Sequence, residues 1–181
     1  MNGSFKSFLL PLMLAVSALA SAAPELVTNG GFETGDFTAW TQFGNTGFTG
    51  VDSHGYLSSF EAFFGPVGSQ GGIAQTLSTV ASQAYLFSFD LKNDGGTPNS
   101  FDATFDGTSV YSQVDASAFD WTHFEFTVTA TTASTDIAFS TRQDPAYYRL
   151  DNVSVQAVPE PATLAALALG CGVMLRRRKM S

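Results

Sequence analysis

Over much of the chain apolar and polar side chains alternate with a period of two. Tyr85, Phe87, Phe89 and Leu91 share one parity, with Ser88 and Asp90 on the other. Phe101, Ala103 and Phe105 are separated by Asp102 and Thr104, and Phe124, Phe126 and Val128 by Glu125 and Thr127. Ile137 and Phe139 form a shorter run of the same kind. Alternation of this sort predicts strands with one buried and one wet face. Further strands are expected near 26–28, 39–43, 48–51, 72–78 and 147–155. The runs are separated by Gly, Asn, Asp, Ser and Thr clusters, and no helical period accompanies them. Crossover helices for a parallel sheet are therefore missing. The predicted fold is all-β, a two-sheet antiparallel β-sandwich with Phe as the main core filler.

Local chemistry refines this picture. Asp106-Gly107 is a two-residue hairpin turn that joins the 101–105 run to Val110. Asp94-Gly95-Gly96-Thr97-Pro98 is a further turn, and 64–72 is glycine-rich and reads as a loop. In the last predicted strand Tyr148 and Leu150 share one parity, whereas Val153 and Val155 share the other. A bulge at Asp151-Asn152 reconciles the two halves and re-aims the Asp151 carboxylate.

The two ends differ in character from this body. Lys6 precedes an apolar run from Phe8 to Leu19, and Ala20-Ser21-Ala22 supplies small residues for cleavage after Ala22. Residues 1–22 thus read as a signal peptide. Retention as a membrane anchor is disfavoured, because the run is short for a span of about 20 residues. At the other end Ala162 to Leu175 is uncharged and largely apolar, and Arg176, Arg177, Arg178 and Lys179 follow directly. Such a helix seats its cations on the cytoplasmic side. Fourteen residues reach only about 21 Å against a hydrocarbon core of about 30 Å, so snorkelling arginines must close part of the gap.

Pro159-Glu160-Pro161, the apolar stretch and the basic cluster together resemble the PEP-CTERM sorting signal. The resemblance implies a transient inner-membrane anchor, cleavage by an exosortase-type transpeptidase, and delivery to the surface or extracellular matrix of a Gram-negative bacterium. The chain divides into a signal peptide (1–22), a sandwich (23–157) and a sorting tail (158–181).

Charge changes the picture further. The whole chain of 181 residues carries a formal charge of −8. The body holds fifteen of the sixteen acids and only three basic residues, Lys92, Arg142 and Arg149, a net charge of −12. Nucleic acid and anionic lipid are excluded as partners of the body. The one cysteine, Cys171, lies in the tail, so packing has to hold the sandwich without a disulfide. The only histidines are His54 and His123, and no Gly-x-Ser-x-Gly elbow, phosphate loop or zinc spacing occurs. No enzyme class is indicated.

The opening Asn29-Gly30-Gly31-Phe32-Glu33, with Gly35, Phe37 and Trp40, pairs with a closing Tyr148-Arg149-Leu150-Asp151-Asn152-Val153. Together they resemble the galactose-binding-like jelly roll of carbohydrate-binding modules. That resemblance implies a structural calcium held by Glu33, Asp151 and a main-chain carbonyl, with Gly31 as its donor. The alternative is two solvated acids on a loop and an edge strand. Calcium takes six to eight hard oxygens, and adjacent first and last strands would bring distant carboxylates together.

Sugar binding needs aromatic platforms beside polar groups. Trp40 and Trp121 are the candidate platforms, with core packing favoured for both. Asp90, His123 and Glu125 fall on polar strand faces and form a candidate ligand-binding surface. The sequence therefore predicts an exported, non-enzymatic surface protein that associates with extracellular polysaccharide. Its rivals are an adhesive protein that binds no sugar and a hydrolase with a hidden carboxylate pair.

Overall fold

The computed structural model describes residues 23–158; the expected signal peptide and the sorting tail from Pro159 onward lie outside the described residues. Ten strands form two sheets, with no helix among the described residues. They are β1 (Thr41–Gly44), β2 (Thr49–Asp52), β3 (Glu61–Phe64), β4 (Gly71–Ser78), β5 (Ala84–Asn93), β6 (Asn99–Phe105), β7 (Thr108–Val114), β8 (Phe119–Thr129), β9 (Ser134–Gln143) and β10 (Tyr148–Ala157). One sheet has the order β1-β4-β9-β6-β7 and the other β2-β3-β10-β5-β8, and every pairing is antiparallel. This is the predicted sandwich.

The inward rows of both sheets meet in an aromatic core. Phe139 of β9 lies at its centre, with ring centroids 5.2 Å from Phe89, 5.9 Å from Phe87, 6.0 Å from Phe101 and 6.1 Å from Trp40. Offset and edge-to-face packing of this kind supplies large buried area in fixed geometry. Trp40 is only 7% exposed, lies 5.9 Å from the Phe32 ring, and donates its indole N–H to the Asn29 carbonyl. It is a core residue.

Turn chemistry follows the sequence. Asp106 and Gly107 both have positive φ, 52° and 72°, the signature of a type I′ hairpin between β6 and β7. In β10 the register against β5 shifts between Asp151 and Ser154, and Asn152 has φ 51°. The bulge restores inward packing: Tyr148, Leu150, Val153 and Val155 are all buried.

Two segments differ from the sequence reading. The expected strand at 26–28 is reduced to a single bridge, Glu25 to Gln156. Side chains replace a ladder there: the Glu25 carboxylate accepts the Val27 and Val155 N–H groups, and the Gln75 amide oxygen accepts that of Thr28. The second segment is β3, which carries apolar residues at both parities. Ala62 and Phe64 point into the core, while Phe63 packs edge-on to Tyr147. A run without alternation hides its strand character, and the loop expected from Phe64 starts after it.

The two chain ends lie side by side. Leu26 N–H bonds Val155 O and Val153 N–H bonds Gly30 O, each at 3.0 Å. A Cβ at residue 30 would sit 2.0 Å from the Val153 carbonyl oxygen, so only glycine permits this approach.

Candidate functional site

The site forms on the outer face of the β2-β3-β10-β5-β8 sheet. Side chains opposite the core point outward here: Glu61 from β3, Arg149 and Asp151 from β10, Asp90 and Lys92 from β5, and Trp121, His123 and Glu125 from β8. Three of these outward acids are nevertheless buried: Glu61 (1% exposed), Asp90 (6%) and Asp151 (0%). The cause is the β2–β3 connection, residues 53–60, which crosses the face as a strap.

Two carboxylates tie this strap down. Asp151 Oδ2 accepts the Tyr56 N–H at 2.8 Å and the Ser58 hydroxyl at 2.6 Å. Glu33 Oε1 accepts the N–H groups of Ser59 and Phe60, both at 2.9 Å. The Asn152 amide donates to Tyr56 O at 3.0 Å and to Asp90 Oδ2 at 2.9 Å. Asp151 is pushed above the usual carboxylate range, first by burial and then by the neighbouring Asp90, against the hydrogen bonds it accepts.

Gly31 lies beside the Asp151 carboxylate and the stem of Glu33. A Cβ built there would lie 3.7 Å from Asp151 Oδ1 and from Glu33 Cγ, and 3.9 Å from Asn152 Oδ1. Gly31, Glu33 and Asp151 therefore converge. No group of three or more His, Cys, Asp or Glu side chains suited to a metal occurs among the described residues, so main-chain and amide oxygens would have to supply part of any ligand set.

The strap sets Tyr56 against Trp121, with ring centroids 5.1 Å apart and planes 16° from parallel. Trp121, for which the sequence favoured the core, lies outside it on the outer face. Beside it is a shallow depression of about 270 Å³ lined by His54, Glu61, Lys92, Asp94, Trp121 and Arg149.

Arg149 organises the floor of this depression. It pairs with the buried Glu61, donates to Asp94 Oδ2 at 2.9 Å, and lies 3.8 Å from Asp52 Oδ2. Lys92 lies 3.7 Å from Asp94 and 3.8 Å from Asp120. Burial raises the Glu61 pKa and Arg149 only partly offsets it. For Arg149 burial works against the charge, but the bonds to Asp94 and Glu61 outweigh it and raise its pKa.

The candidate ligand-binding residues of the sequence reading lie on the same face but outside the depression. Asp90 and His123 are cross-strand partners joined at 2.7 Å, and Glu125 stands opposite Ser88. Asp90 also accepts from Asn152, so its carboxylate is internally committed. Sequence reasoning missed Tyr56, Glu61, Asp94, Lys92 and Arg149. Lys92 and Arg149 share parity with Asp90 and Asp151, and that alternation alone would have found them. Tyr56 carries no such signal, because a long connection brings it across.

The fold is similar to the jelly rolls of carbohydrate-binding modules. Similar solved structures include TmCBM61 in complex with β-1,4-galactotriose, at 15% identity over 75% of this chain and 100% of that chain, TM-score 0.59. The CBM22-1 xylan-binding domain from Paenibacillus barcinonensis Xyn10C matches at 20% identity over 78% and 99%, TM-score 0.56. The K3 cleaved adhesin domain of Lys-gingipain from Porphyromonas gingivalis W83 matches at 13% identity over 74% and 98%, TM-score 0.57. No curated protein matches the chain. Residues 157–179 match the PEP-CTERM protein-sorting motif, which implies export and exosortase processing.

Proposed function

We propose that the sandwich is a non-catalytic polysaccharide-binding module of the cell surface or extracellular matrix, delivered there by its sorting tail. The observation that carries this reading is the Tyr56–Trp121 pair at the rim of a depression rich in polar groups. An apolar ring face beside hydrogen-bonding side chains suits a sugar, whose C–H face is apolar and whose edges are hydroxyls. Similar folds that bind β-1,4-galactotriose and xylan support the ligand class.

Catalysis is disfavoured by charge. A glycoside hydrolase needs one free acid and one free carboxylate flanking a bond. Here Arg149 stands between Glu61, Asp94 and Asp52 and engages all three. The adhesive reading has one specific support, the likeness to the cleaved adhesin domain of Lys-gingipain.

We assign a structural calcium to Gly31, Glu33 and Asp151. In support, Asp151 is fully buried with no basic side chain paired to it among the described ion pairs. Each carboxylate also gives one oxygen to the strap; Asp151 Oδ1, beside Gly31, accepts the Asn152 N–H at 2.7 Å and keeps a lone pair for a metal, and the second Glu33 oxygen lies outside the described hydrogen bonds. Bound there, calcium would neutralise the two acids and cross-link the opening segment to the last strand.

The test is retention of the purified full chain on immobilised β-1,4-galactan, on xylan and on crude extracellular polysaccharide from the producing cells. Retention on at least one is expected; none retained would favour the adhesive reading. In the same preparations a chelator should lower the melting temperature by several degrees, and an unchanged value would remove the metal. For the tail, replacing Pro159-Glu160-Pro161 by alanines should leave uncleaved protein in the membrane fraction; normal processing would refute the sorting role.

A further inference from the structure

We propose that Glu33 and Asp151 are positioning residues for the aromatic platform, acting through the strap. The claim rests on the reading of the Trp121 surface as the binding face. Its basis is the path of residues 53–60. The strap leaves β2 at one edge of the sheet, whereas Trp121 stands on β8 at the other edge. From β3 to β8 is three strand spacings, roughly 14 Å. Tyr56 therefore meets Trp121 only because the strap spans the intervening β10 and β5.

Of the strap's own side chains Phe60, at its β3 end, packs against the core, which leaves the stretch around Tyr56 to be held by other means. It forms no strand, and Leu57 at its tip is 90% exposed with φ 60°. Its anchorage is the set of donors given to the two carboxylates: Tyr56 N–H and Ser58 Oγ to Asp151, and Ser59 and Phe60 N–H to Glu33. Hydrogen bonds to ionised carboxylates are roughly twice as strong as neutral ones. The Asn152 amide adds a tie to Tyr56 O from the bulge itself. Two acids far apart in sequence, one from the opening motif and one from the last strand, thus fix the ring that completes the platform. A ligand that needs Tyr56 beside Trp121 then binds in proportion to the fraction of molecules with the strap in place.

Ser58→Ala is the decisive variant, because it removes one tie while both carboxylates and any cation they hold remain. Glu33→Ala removes two others. The Tyr56-dependent near-ultraviolet circular dichroism, defined as the part lost in Tyr56→Leu, reports the ring pair without any ligand. Both variants should diminish that signal and weaken binding of β-1,4-galactotriose about three- to tenfold. Ser58→Thr, which keeps the hydroxyl, should restore both. An unchanged Tyr56-dependent signal in Ser58→Ala and Glu33→Ala overturns the proposal, whatever the glycan result. If Trp121→Ala loses the glycan while these two variants keep both signal and affinity, the positioning role fails and the binding face stands. If the wild type and Trp121→Ala bind alike, the binding face fails, and the spectral comparison still decides the positioning role.

Discussion

Arg149→Met is expected to destabilise the protein by about 3–5 kcal/mol at neutral pH, the range for removing one partner of a buried ion pair. Glu61 is the reason. It is 1% exposed and has Arg149 as its cation, so the variant strands a carboxylate beneath the strap. The pH dependence has a definite sign. The folded-state pKa of Glu61 is already raised above its ordinary 4.5 by burial, and losing Arg149 raises it further. The folded protein then holds the proton more tightly than the unfolded chain. Stability of the variant should therefore recover as pH falls through the raised folded pKa, and be lost as pH rises through it. Urea denaturation at neutral and at mildly acidic pH measures this directly. Adding Glu61→Gln to Arg149→Met should recover much of the loss at neutral pH. A penalty independent of both pH and Glu61 would show that Arg149 acts by packing alone.

The second large effect separates the two tryptophans. Trp121→Ala should cut polysaccharide affinity by about 30-fold or more, the scale of an aromatic hot spot. Stability should change by less than about 1 kcal/mol, because the side chain is partly exposed on the outer face. Trp40→Ala should do the reverse. It empties a site packed against Phe32 and Phe139 and is expected to lower stability by about 3–5 kcal/mol. Binding isotherms and melting curves of the two variants, taken together, check the assignment. Equal stability losses would return Trp121 to the core.

The fold was largely legible in the sequence because its determinants are local. Alternation marks β5, β6, β8 and β9 without reference to anything distant. The Asp106-Gly107 dipeptide specifies its own hairpin, and the parity break at Asp151-Asn152 can only be repaired by a bulge. β3 escaped because its outward position 63 is a Phe, packed against Tyr147 from another loop. The opening segment was over-read as a strand, because its bonds run largely through the Glu25 and Gln75 side chains.

The site was less legible, for a related reason. The pairing of Glu33 with Asp151 was inferred from resemblance; both carboxylates bond the same strap, at Ser59 and Phe60 and at Tyr56 and Ser58. The burial of Asp90, Asp151 and Glu61 depends on a strap whose path no local pattern encodes. Outward polar parity was read as a wet face, and for Asp90 it is not. Trp121 was assigned by its apolarity toward the interior, whereas its parity with His123 and Glu125 puts it outside.

β10, the last strand among the described residues, lies in the middle of its sheet, between β3 and β5. Its bonds reach back to Glu25 and Gly30. Until residues 148–157 emerge, the earlier strands of that layer have no central partner to close on. An exported chain can pair β2 with β3 and β5 with β8 as they emerge, but it joins these two pairs into one layer only when β10 has crossed. Closure of this layer is thereby deferred to the far side of the membrane.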